Sequence, residues 1–262
     1  MTHNQFESIK QWFDDYIHQF HSDDIDFQKN IELKREHSYY VWNNTIDLGN
    51  HSSLKESEYI QLQIAGLLHD AGRFEQFSRY HTFSDKKSVN HGLLGVEVLQ
   101  EKKILNDLPP DEQNRILTAI ENHNKKEITG DFDNTTLTLV KMLRDADKLD
   151  IWRIVTEYYC KTEEETNNTL QLDLPDKPEI NPKNYQDLLN EKMVDLNNLE
   201  TLNDFKLLQI GWIYDLNFQR SFQILDKNKY LDIIFKTLPN TDEIKTIQQK
   251  TNDYLQRFFV GS

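Results

Sequence analysis

The segment Ala65–Phe77, AGLLHDAGRFEQF, carries an apolar run directly into a His69-Asp70 pair. An imidazole and a carboxylate beside Leu67 and Leu68 fall where burial is expected, and a buried charge is costly unless something compensates it. The pair alone says little. With nine histidines and 25 aspartates in 262 residues, random order supplies about one such dipeptide. The other histidines say more, because residues three and four apart share a helix face. His37 shares its face with Leu33, Tyr40 and Val41, and His69 with Ala65, Gly66 and Gly72. His91 goes with Leu94 and Gly95, and His123 with Ala119 and Ile120. All four therefore project with apolar or small residues. The other five act as a control: His3 is terminal, His51 and His81 fall in loops, and His18 and His21 avoid the Phe13–Ile17–Phe20 stripe.

A carboxylate passes the same test. In LVKMLRDADKLDIWRIV (Leu139–Val155), Val140, Leu143, Ile151 and Ile154 mark the buried stripe, and Asp147 lies on it. Asp145, beside Lys141 and Lys148, is read as facing water and as a support for one of the imidazoles. A hydrogen-bonded partner such as Arg or Lys would satisfy any one of these groups. For four imidazoles and two carboxylates together, one shared metal centre is the simpler account. Nitrogen and oxygen donors without thiolate suit one or two divalent transition metal ions (Mn, Fe, Co, Ni or Zn) and disfavour an all-oxygen calcium site. Two such ions about 3.5–4 Å apart activate a shared water near neutral pH and polarise a phosphoryl oxygen.

The elements that must hold these side chains are helices. Only eight Gly and six Pro, with long 3.6-residue periodicity, predict an all-α protein. Helices are expected near 5–21, 27–48, 57–71, 85–102, 111–124, 134–161, 183–199, 204–216, 218–236 and 241–259, with Asn134 capping the sixth and Asn240-Thr-Asp opening the last. No stretch alternates long enough to form a sheet. The polar segment Glu163–Lys183, with three prolines, reads as a long loop, either a divider between two helical parts or a lid. The expectation is one helical domain over 1–262, with a metal core near 27–160 and a helical extension near 183–260.

Composition narrows the partners. A net charge of −14 argues against a nucleic-acid polymer, whose binding rests on clustered Lys and Arg. The single cysteine, Cys160, allows neither an internal disulfide nor a thiolate cage. The start MTHNQFESIK lacks a signal-peptide core, and nothing approaches the ~18 apolar residues of a membrane span, so a cytoplasmic location is the default.

The order His37, His69-Asp70, Asp147 on successive helices resembles the HD-domain superfamily of metal-dependent phosphohydrolases, in which a first His, a His-Asp pair and a distant Asp hold one metal. The "DADKLD" segment resembles the motif of the closing Asp, which falls on Asp147. His91 in "NHGLLGVEVL" and His123 in "AIENHNK" match the two extra histidines of the binuclear branch. The resemblance spans roughly 27–160 and implies an HD-like helical bundle. No Gly-Tyr-Pro segment follows, which sets aside the cyclic-dinucleotide branch.

The resemblance implies hydrolysis of a phosphate ester or anhydride of a small molecule, such as a nucleotide, by a metal-activated hydroxide. Adjacent helical residues diverge by about 100°, so His69 and Asp70 grip a cation from two sides. Asp70 bridges, with His37, His69 and Asp147 on one metal and His91 and His123 on the other. Ala71 and Gly72 are read as leaving room for ligand. Arg73 and Lys148 are the candidates for stabilising charge on the transferring group. The segment Arg79–His91 is read as the pocket rim, with His81 either solvated or donating a proton to the leaving group. Two other readings share these residues: a diiron HD oxygenase acting on a hydroxylated small molecule, and a non-catalytic nucleotide-binding module. In Gly211–Leu225, GWIYDLNFQRSFQIL, Trp212 and Phe222 are expected in a helix-packing core, the alternatives being a homodimer face or a substrate wall.

Overall fold

The computed structural model describes residues 3–160 and 174–259. It is all-α: every regular element among the described residues is an α-helix or a short 3-10 turn. The chain divides into two compact units, Met1–Asp150 and Ile151–Ser262.

In the first unit the helices are α1 (His3–His18), α2 (Ile25–Asn50), α3 (Glu56–Leu68), α4 (Ala71–Tyr80), α5 (His91–Glu101), α6 (Pro110–Asn122) and the first part of α7 (Asn134–Tyr159). Their starts follow local chemistry. The Asp24 carboxylate accepts from the Asp26 and Phe27 amides to begin α2, and the Asn90 side chain accepts from Leu93 N to begin α5. Pro110 opens α6 where no amide partner is required, with Asp111 and Glu112 in the first turn. The cap of α7 is Asp133, which accepts from the amide and hydroxyl of Thr136 at 2.8 Å each, so Asn134, the expected cap, is the first helical residue instead.

Helix α2 packs on α3, α4 on α5, and both α3 and α5 on α6. The core between α1 and α4 is aromatic: Phe74 meets the edges of Phe13 and Tyr16 at ring separations of 5.9 and 6.1 Å. Burial of each such ring contributes about 1.5–3 kcal/mol. The Tyr16 hydroxyl donates to the Ala71 carbonyl at 3.1 Å and so ties the first residue of α4 to α1. A β-carbon on Gly72 would overlap the His91 carbonyl and lie 2.5 Å from Gly95 N. Gly72 therefore lets α4 and α5 touch backbone to backbone, which corrects the reading of this glycine as space for ligand.

Several boundaries differ from expectation. Helix α4 was not expected: the chain breaks at His69-Asp70, where Asp70 (φ −101°, ψ 16°) leaves helical geometry and a new helix starts. The helix expected from 85 begins at His91, preceded by a 3-10 turn at Asp85–Lys87.

In the second unit α7 ends, and α8 (Pro182–Leu189), α9 (Leu202–Gly211), α10 (Gln219–Lys227), α11 (Tyr230–Lys236) and α12 (Asp242–Gln256) follow. The helix expected over 183–199 stops at Leu189, with Glu191 at φ 55°, and the one over 218–236 is broken by Lys229 at φ 56°. Left-handed residues of this kind end a helix. The Thr201 hydroxyl and Asp204 form a capping box on α9, and Thr241 caps α12. Phe222 is fully buried and stacks on Phe258 at 3.6 Å, whereas Trp212, expected in the core, is half-buried. The part of the expected loop from Glu163 to residue 173 lies outside the described residues; 174–181 is non-helical. No described helix is long and apolar enough to cross a membrane.

Candidate metal centre

The six expected ligands come together inside the first unit. His37 lies mid-α2, His69 closes α3, Asp70 precedes α4, His91 opens α5, His123 follows α6, and Asp147 lies in α7. The four histidines are buried, and the five control histidines are exposed. Three sets of donor atoms converge, each within 4.8 Å: His37–His69–Asp70, Asp70–His91–His123, and His69–His123–Asp147.

Asp70 stands between the two histidine pairs. Its Oδ2 is 3.5 Å from His37 Nε2 and 3.7 Å from His69 Nε2. Its Oδ1 is 3.4 Å from His91 Nε2 and 3.8 Å from His123 Nε2. Asp147 Oδ1 closes the first side, 3.1 Å from His37 Nε2 and 3.7 Å from His69 Nε2. Because His69 and Asp70 sit at a helix break, their directions come from that junction and not from a continuous helical turn, which corrects the geometric argument made from the sequence. Asp70 makes no side-chain cap bond to α4, so its carboxylate is left for the cluster.

Each imidazole is oriented through its other nitrogen. Asp150 Oδ2 meets His37 Nδ1 at 2.7 Å, and Asp85 Oδ2 meets His91 Nδ1 at 2.8 Å. His69 Nδ1 donates to the Gly66 carbonyl at 2.8 Å, and His123 Nδ1 to the Ile120 carbonyl at 2.6 Å. A carbonyl only accepts, so these two rings carry their proton on Nδ1 and turn an Nε2 lone pair inward. Each half of the cluster thus holds one carboxylate-backed and one carbonyl-backed imidazole.

This arrangement tests whether a metal fits. His37 Nε2 and His69 Nε2 are 3.2 Å apart, and His91 Nε2 and His123 Nε2 are 3.0 Å apart. Between His91 and His123 two lone pairs face each other at that distance and repel, whereas between His37 and His69 the raised pKa of His37 keeps a proton in the gap that a metal would replace. A cation with bonds of about 2.0–2.1 Å to both nitrogens spans such a gap. The donor set therefore fits divalent metal.

Electrostatics agree. Burial lowers His69 to about 4, against the pull of Asp70 and Asp147. Burial and then the Arg73 charge lower His91 to about 3, against its bond to Asp85. On His37, burial and Lys34 oppose protonation, but the bonds to Asp147 and Asp150 prevail and raise it to about 9. Burial works against the Asp70 charge, yet Lys34, the histidines and Arg73 hold its carboxyl well below the ordinary range.

Several supports were not read from the sequence. Lys34 Nζ lies 2.8 Å from Asp70 Oδ2. Asp85 joins His91 to Arg73, whose Nη1 is 3.0 Å from Asp85 Oδ1 and 2.8 Å from Gln76 Oε1 and also donates to the Phe83 carbonyl. Arg73 Nε is 3.6 Å from Asp70 Oδ1. Buried Arg144 donates to the carbonyls of Asn122 and His123 at 3.1 and 3.3 Å and to that of Lys125, which secures the end of α6 that carries His123. Asp145 is fully buried and not water-facing, and Asp150 and Asp85 meet the Nδ1 atoms of His37 and His91. Lys148 is buried, with Nζ 3.4 Å from the Arg144 carbonyl. His81 is exposed and ends α4 in the left-handed region, φ 51°.

A helical bundle with four inward imidazoles around a shared carboxylate defines a class of metal-binding α-domain. Residues 35–152, just under half of the chain, match the family model described as HD domain. HD domains are in general metal-dependent phosphohydrolases and bind divalent metals. No curated protein and no solved structure matches the chain.

Proposed function

We propose that this chain is a two-cation phosphohydrolase of the HD type that cleaves a phosphate ester or anhydride of a small molecule, with nucleotides as the favoured class. The observation that carries the reading is Asp70, with one oxygen 3.5 Å from His37 Nε2 and the other 3.4 Å from His91 Nε2. In this reading His37, His69, Asp70 and Asp147 hold one cation, and Asp70, His91 and His123 hold the other. When bound, the pair supplies hydroxide near neutral pH and draws electron density from the phosphoryl group.

The chain's own residues do the remaining work. Asp150 and Asp85 keep the inner lone pairs of His37 and His91 aimed at the centre and raise their basicity. Burial around Asp70 removes bulk water, so charges there act at greater strength than in solvent. Arg73, clamped by Asp85 and Gln76, presents fixed positive charge beside Asp70. Lys148, which follows Asp147 in α7, adds a second positive charge in the same helix.

Elemental analysis of fresh protein, paired with phosphate release from a panel of monoesters and nucleotides, tests the reading. Expected are two equivalents of transition metal and metal-dependent phosphate release, both lost in Asp70→Ala. Full activity in metal-free Asp70→Ala overturns it, as does bound iron with oxygen uptake and no phosphate release.

A further inference from the structure

Two cationic side chains reach Asp70, and they are built differently. Arg73 is anchored: its Nη1 is committed to Gln76, the Phe83 carbonyl and Asp85. Lys34 is not. Its ammonium has Asp70 Oδ2, at 2.8 Å, as its hydrogen-bond partner among the described residues, and an ammonium has three donors. It also lies over the face of Phe83, with Nζ 5.3 Å from the ring centroid, an attraction that guides the side chain without fixing it. Phe83 is itself stacked on Phe77 at 4.6 Å, so the surface under the lysine is rigid. The Lys34 side chain is 17% exposed while that of Asp70 is 3% exposed, so the ammonium marks the open side of the carboxylate.

The oxygen that Lys34 holds is the one facing His37 and His69. A cation seated between those imidazoles needs the same Oδ2. Lys34 and that cation therefore compete for one atom. Lysine is a point charge on four flexible methylenes, so it can leave one anion for another a few ångströms away. Two divalent cations would also turn a centre of two carboxylates net positive. The anion that restores balance is a phosphoryl group, and a terminal phosphate monoester, with charge of about −1.5 to −2 at pH 7, does so better than a singly charged diester.

We propose, on the two-cation reading above, that Lys34 is an exchangeable charge: it neutralises Asp70 until a cation takes Oδ2, and then binds the terminal phosphate of the substrate. The same charge opposes the first cation and attracts the phosphate.

Two opposite effects of one substitution test this. Full-length protein, its Lys34→Met variant and its Lys34→Arg variant are stripped with chelator and titrated with Mn²⁺ and then, metal-loaded, with inorganic phosphate by calorimetry. Lys34→Met is expected to bind the first Mn²⁺ about 3–10-fold more tightly, because its competitor is gone, and phosphate at least about 10-fold more weakly. Lys34→Arg should retain phosphate binding, and Lys34→Gln replaces Lys34→Met if the latter does not fold by circular dichroism. Unchanged or weakened Mn²⁺ binding in the uncharged variant overturns the proposal, as does unchanged phosphate affinity. Failure of the wild-type protein to take up two cations is a separate result, and it removes the underlying reading.

Discussion

Asp150 and Asp147 grip the same imidazole from one turn of α7: Asp147 Oδ1 is 3.1 Å from His37 Nε2, and Asp150 Oδ2 is 2.7 Å from His37 Nδ1. Spacing of three residues puts both carboxylates on one face of the helix. The first is a prospective ligand, and the second fixes the ring that ligates beside it. Asp150→Asn keeps the shape but loses the charge that raises the basicity of His37. Metal affinity should fall about 10–100-fold with the fold intact. Titration of stripped protein with Zn²⁺ or Mn²⁺ checks it, and an unchanged affinity would remove the orienting role.

The two sides of Asp70 predict unequal metal counts. His91→Ala and His123→Ala remove ligands from one side only and should leave about one equivalent of metal. His69→Ala should spare the His91–His123 side in the same way. Asp70→Ala touches both sets and should leave almost none. Elemental analysis of the four variants reads this directly. Equal losses in all four would mean a single cation site.

The pH behaviour of chelator-stripped protein follows from three histidines. His37 is raised to about 9, so its contribution to stability is complete below about 6.5 and is lost as pH rises through 9. His69 and His91 are lowered to about 4 and about 3, so their neutral forms favour the fold above about 6.5, and stability is lost as pH falls towards those values. A stability maximum near pH 6.5 is expected for the metal-free protein. Metal displaces the His37 proton, so affinity should climb between about pH 6.5 and 9 and then level. Thermal melts across pH, with and without metal, measure both, and a melting temperature still rising from pH 7 to 9 in stripped protein contradicts the assignment.

Gly72→Ala is a test of helix approach. Its β-carbon would meet backbone atoms of His91 and Gly95, which cannot rotate away, so α4 and α5 must part. A loss of about 1–3 kcal/mol in stability and weaker binding on the His91 side are expected. At Gly66 the added carbon meets the Thr45 side chain at 2.7 Å. Gly66→Ala should therefore be repaired by Thr45→Ala, whereas no single side-chain change should repair Gly72→Ala. Denaturant titration and metal binding separate the two cases.

How much of this could be read beforehand depended on periodicity. The inward histidines were legible because each shares a 3.6-residue stripe with apolar neighbours, and burial follows that stripe. The same stripe put Asp147 on the side of His37, which it meets although it is only part-buried, but Asp145 was misplaced: Met142, Leu143, Ala146 and Leu149 are all buried, so this stretch of α7 has little wet face to assign. Asp85 was missed because it sits in a 3-10 turn, where no helical period points its side chain at His91. Lys34 lies one turn before His37, yet nothing in the spacing says which carboxylate a lysine will choose. The start of α4 was hidden because His69 and Asp70 look like one more turn of α3.

Four of the six converging side chains hang where helices begin or stop: His69 after α3, Asp70 before α4, His91 at the start of α5 and His123 after α6. Replacing a donor at such a joint breaks no internal rung of a helix. The scaffold is thus free to trade nitrogen for oxygen one position at a time, and with it the identity of the ion it prefers, while the bundle that carries the site stays the same.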